Sequence, residues 1–88
     1  MKIIKISGRE RCVLRAIDFS SGTPGEEILE RTRLAPEDLV DALNGLLSVG
    51  YAESVPYAES TSLETFRTSS FEVNPSYALD LRAAMQRM

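Results

Sequence analysis

The sequence predicts an α+β domain, mostly helical, in which helices flank a two-stranded hairpin. Three observations predict it. Leu39, Val40, Leu43, Leu46 and Leu47 recur at helical spacing and give residues 36–49 one apolar face. Gly50 ends that pattern, and an alternating segment, 51–55, leaves it at once. Two earlier stretches carry the Ser/Thr-x-x-Glu signature of a helix start. With 88 residues the chain has room for one domain, taken as 1–88.

The elements follow in order. Lys2, Ile3, Ile4, Lys5 and Ile6 form a β-branched run and read as a strand. Ser7 and Glu10 fit a capping box that starts a helix over 8–19, with Val13, Leu14 and Ile17 inward and Cys12 and Ala16 beside them. Ser20, Ser21 and Gly22 stop it. Thr23 and Glu26 fit a second capping box, with Pro24 at the first position of a short helix, 24–31, that buries Ile28 and Leu29. Residues 32–35 form a turn with Leu34 tucked between helices. Pro36 starts the next helix, which runs to Val49.

At about 100° per residue, the outward side of helix 36–49 holds Glu37, Asp38, Asp41, Gly45 and Ser48, with Asn44 at the margin. Pro56 ends the strand that begins at Tyr51. Residues 57–65 are polar and rich in Ser and Thr, and suit an exposed loop. Residues 66–73 return as the partner strand, with Phe71 and Val73 facing the core. Asn74 and Pro75 open a final helix, 75–87, whose inward stripe is Tyr77, Ala78, Leu81, Met85 and Met88. Leu79 projects from its opposite face.

Composition excludes several functions. Without His, no Ser-His-Asp or Cys-His arrangement can form, and no enzyme is expected. One Cys and no His argue against a zinc site, and the spacing of Glu37, Asp38 and Asp41 is that of ordinary exposed helix carboxylates. No cofactor is implied. Gly22 to Gly25 lacks the Lys and the spacing of a phosphate loop. Cys12 reads as a small buried hydrophobe rather than a reactive thiol. No apolar run approaches the roughly 20 residues of a membrane span, and the first residues do not fit a signal peptide, so a cytoplasmic location is expected.

The net charge is −3, the wrong sign for simple adhesion to nucleic acid. Its distribution is uneven. Residues 1–22 carry Lys2, Lys5, Arg9, Arg11 and Arg15 against Glu10 and Asp18, whereas 23–50 carry only Arg31 and Arg33 against six acids. Arg9, Arg11 and Arg15 read as a solvated face of the first helix.

The order is therefore strand, three helices, strand, loop, strand, helix. It resembles the winged helix-turn-helix domains of transcription regulators. The best local matches are residues 48–54, Ser-Val-Gly-Tyr-Ala-Glu-Ser, which are similar to the exit from the recognition helix into the wing, and residues 35–43, which look like the start of that helix. The resemblance implies a regulator that reads duplex DNA with helix 36–49 and wing 51–73. By position, Asn44 and Ser48 would face bases together with Glu37, Asp38 and Asp41, while Arg31, Thr32, Arg33 and Arg67 would contact phosphates. Such a regulator would act as a homodimer through helix 75–87, where Leu79, Met85 and Met88 leave room for a contact.

The helix departs from the family pattern because it contains three outward acids and no Lys or Arg. One carboxylate about 4 Å from a phosphate costs about 1 kcal/mol in water and about 4 kcal/mol at a partly buried surface. Three would offset much of a specificity gap of about 4–10 kcal/mol. Glu37 and Asp38 also have a local role, since carboxylates in a first turn favour the positive end of the helix dipole. The second expectation is therefore a winged-helix interaction module that docks on a protein partner through Glu37, Asp38 and Asp41.

Overall fold

The first helix, α1 (Gly8–Ala16), is set by its cap. The Ser7 hydroxyl accepts from the Glu10 N–H at 3.1 Å, and the Ser7 N–H donates to Glu10 Oε1 at 2.9 Å, so both halves of the box form. The structure is a computed structural model and describes residues 4–86. The helix stops three residues before the expected end. Asp18 starts a local turn instead, accepting from the N–H and hydroxyl of Ser20 at 2.9 and 2.7 Å, and its own N–H donates to Thr23 Oγ1. Short polar side chains of this kind compete with helix for backbone groups. Ile17 leaves in an extended conformation and stays buried.

The expected capping box at Thr23 does not form. Thr23 lies in a two-residue strand, β1 (Thr23–Pro24), which pairs antiparallel with a later strand. The next helix, α2 (Gly25–Thr32), has Pro24 at its cap and no side-chain cap hydrogen bond. Its first N–H, from Gly25, donates to Ser69 O at 2.9 Å. Gly25 is required here, because a Cβ would stand 1.9 Å from the Phe66 carbonyl oxygen. The turn to the third helix passes through Arg33, whose φ of 58° is left-handed.

Helix α3 (Pro36–Ser48) buries Leu39, Val40, Ala42, Leu43 and Leu46. It ends in a Schellman motif. The Tyr51 N–H bonds to Leu46 O at 3.0 Å and the Gly50 N–H to Leu47 O at 3.1 Å, with Gly50 at φ 80°. The chain then enters β2 (Ala52–Val55), which ends at Pro56 after a cis peptide bond. Strand β3 (Ser70–Val73) returns against it. Phe71 and Val73 face inward as their parity requires.

The sheet is antiparallel, with order β1-β3-β2. The strand expected at residues 2–6 is corrected: residues 4–6 form no strand, and Lys2 and Ile3 lie outside the described residues. Both edges of β3 are already occupied, so Ile4 and Ile6 pack on the core without pairing. Pro24 suits the outer edge of β1. Gly25 and Thr23 direct their backbone groups toward β3, so the missing N–H of Pro24 falls on the unpaired side.

The returning strand is also shorter than residues 66–73. Residues 62–69 instead make a turn in which the Phe66 and Thr65 N–H groups donate to Ser62 O. Phe66 is nonetheless fully buried. After β3, Asn74 caps a 3-10 turn (Pro75–Tyr77), accepting from the Ser76 N–H, and its Nδ2 donates to Gly50 O. Helix α4 (Ala78–Gln86) then buries Leu81 and Ala84, while Tyr77, Ala78 and Met85 are partly buried against the core. Arg87 and Met88 lie outside the described residues. No helix among the described residues is long and apolar enough to cross a membrane.

Candidate interaction surface on the third helix

The outward side of α3 divides into two halves. Its first half carries the acids. Glu37 and Asp41 are exposed, and Asp38 faces Arg9 of α1 at 3.7 Å, with both side chains about half exposed. At that exposure an ion pair contributes about 0–1 kcal/mol. Ser7 at the cap of α1, Arg9 and Glu10 of α1, and Asp41 and Ala42 of α3 line a shallow depression between the helices. Gly45 faces α1 rather than open solvent. A Cβ there would meet Glu10 Oε2 at 2.6 Å, so the small residue lets the first turn of α1 approach.

The second half is met by the loop between β2 and β3. Asn44 Nδ2 donates to Thr61 O at 3.1 Å, and the Thr61 N–H donates to Asn44 Oδ1 at 2.7 Å. The amide side chain thus reproduces a pair of backbone bonds and fixes the loop against the helix. Thr61 is buried, which corrects the expectation of a loop exposed throughout 57–65. Ser48 donates its hydroxyl to Gly45 O at 2.9 Å, back into its own helix.

The expected phosphate contacts are mostly engaged within the chain. Arg31 donates to Ala16 O at 2.8 Å and to Glu27 Oε1 at 2.9 Å. Thr32 Oγ1 donates to Ile28 O at 2.9 Å and accepts from the Leu34 N–H, so it closes the turn. Arg67 donates to both carboxylate oxygens of Glu26 at 3.1 and 3.2 Å, and its guanidinium lies 5.3 Å from the centroid of the Phe66 ring. Arg33 is exposed and forms no side-chain hydrogen bond or ion pair among the described residues. The structure therefore brings Glu37, Asp38, Asp41, Asn44 and Ser48 onto one side of α3, while Arg67 stands with α2.

Two features of this surface were missed in the sequence. The Asn44–Thr61 clamp joins residues 17 apart and leaves no periodic signal. Glu53 and Glu72 stand directly opposite each other across β2 and β3 on the outer face of the sheet, and only the register brings them together. On α4, Leu79 is 81% exposed, and Met85 packs against the core. Cys12 is partly exposed, and no group of three or more metal-ligating side chains occurs among the described residues. No family model, curated protein or solved structure matches the chain.

Proposed function

We propose that the chain is a winged-helix docking module whose protein partner meets the outward side of α3, with Glu37, Asp38 and Asp41 as its charged contacts. The Asn44–Thr61 clamp carries this reading. Asn44 is the outward residue of α3 best suited to bidentate reading of a base, and here both ends of its amide are spent on the chain's own loop. The charged residues left open on the helix, Glu37 and Asp41, are both acidic. Carboxylates suit a basic protein surface and oppose phosphates. Support for the winged-helix assignment comes from the order of α1, β1, α2, α3, β2 and β3, and from the hairpin leaving α3 through Gly50.

Capture of a partner with the tagged chain tests the reading. Binding is expected to be lost in Asp41→Lys and retained in Arg33→Ala. A partner held equally well by Asp41→Lys would remove the acidic half of α3 as the docking surface.

Duplex DNA is the second reading, favoured by the same element order and by the exposed Arg33 at the left-handed turn before α3. In that reading Arg31, Thr32, Arg33 and Arg67 hold phosphates, and Asn44 and Ser48 approach bases. It requires Arg31 and Arg67 to exchange their present partners for phosphates and Asn44 to release the loop.

A further inference from the structure

We infer that the groove between the end of α3 and the β2–β3 loop receives an arginine side chain of the docked partner. This inference rests on the docking reading and names the chemistry of the partner. The groove is open to solvent and has a volume of about 480 Å³, within the range of about 300–1,000 Å³ typical of ligand sites. Leu47, Ala52 and Ala58 supply its apolar lining, Glu53 and Glu59 its charge, and Tyr57 its ring.

Charge decides the occupant. Neither Glu53 nor Glu59 forms a side-chain hydrogen bond or ion pair among the described residues, and no base lines the groove. Glu53 also faces Glu72 across the strands, an arrangement of like charges that is unfavourable by itself and relieved by a cation. Tyr57 is 80% exposed, so one ring face is open to a planar cation. A guanidinium can stack on a ring and bond two carboxylate oxygens in one plane, whereas an ammonium is a point charge. The groove also adjoins the docking face, because Leu47 and Ser48 of α3 line it.

A second copy of this chain is a poorer occupant. The free edge of β2 is closed to it, since Ala52 and Ser54 are buried, and the outer face of the sheet would bring further carboxylates against Glu53.

The test is an amide chemical-shift titration of the full chain with the capped tripeptide acetyl-Gly-Arg-Gly-amide, alongside its Lys and Glu counterparts. The Arg peptide is expected to shift amides of residues 47–59 saturably, at least about fivefold more tightly than the Lys peptide. Glu53→Gln combined with Glu59→Gln is expected to weaken it at least about fivefold, and Tyr57→Leu to abolish the preference for Arg over Lys. Glu30→Gln, an exposed position on α2 away from the groove, is expected to leave it unchanged. Equal affinity for the Arg and Lys peptides, shifts confined to residues 37–41, or no saturable shift would each overturn the groove assignment. The docking reading is judged separately, by partner capture with Asp41→Lys. A groove that binds the Arg peptide beside a partner indifferent to Asp41→Lys would overturn the acidic helix face alone.

Discussion

Asn44 shows how one side chain changes what a helix can do. Its position at the margin of the apolar stripe was legible from periodicity, but its partner was not, because a Ser/Thr-rich segment gives no sign of which residue will turn inward. Asn44→Ala leaves the Thr61 N–H and carbonyl without their protein partners in a partly buried site. The expected loss is about 1–3 kcal/mol in urea denaturation, with faster amide exchange at Thr61. Asp18 offers a pH-dependent counterpart. The backbone N–H of Ser20, with its hydroxyl in second place, holds the Asp18 carboxyl below its usual pKa. A folded-state pKa below the unfolded value gives stability that is present above the unfolded pKa and lost as pH falls through the folded one. Acid titration of stability is therefore expected to be shallower in Asp18→Asn than in the wild type below about pH 4.

At the level of elements, local signals succeeded where the physics was local. The Ser7–Glu10 box, the inward face of α3 and the stop at Gly50 each depend on residues within one or two turns, and each forms as its spacing requires. Two local signals were not followed: residues 4–6 form no strand, and Thr23 does not cap α2. Strand pairing is set by partners distant in sequence, and Thr23 with Pro24 pairs with Phe71 and Ser70 of β3. Phe66 was anticipated in a strand and reaches the core from a turn. The approach of that turn to α2 predicts that Gly25→Ala destabilises by about 3 kcal/mol or more, since the obstructing atom is a backbone carbonyl that cannot rotate away. Thermal unfolding checks this, and an unchanged midpoint would mean that the turn is free to move.

Across the whole molecule, charge and fold point in different directions. The element order is compatible with a winged helix, yet several of the bases are paired with acids, as in Arg9 with Asp38, Arg31 with Glu27 and Arg67 with Glu26, and Arg33 is left exposed without a partner among the described residues. The acids of α3 were legible in the sequence as an outward side without Lys or Arg. Their isolation from any compensating cation beyond Arg9 depended on the fold. Glu37 and Asp38 also serve the helix itself, because Ala35 offers no capping side chain.

In the proposed reading, α3 presents a docking surface for protein rather than a reading head for DNA. Anisotropy titration of labelled mixed-sequence duplex DNA at low salt tests it most directly, because any domain built on phosphate contacts binds there. No saturable binding is expected of the wild type, and binding is expected to emerge when Glu37 and Asp41 are both replaced by Lys. Saturable binding by the wild type, with a salt slope reduced in Arg33→Ala and Arg67→Ala, would contradict it.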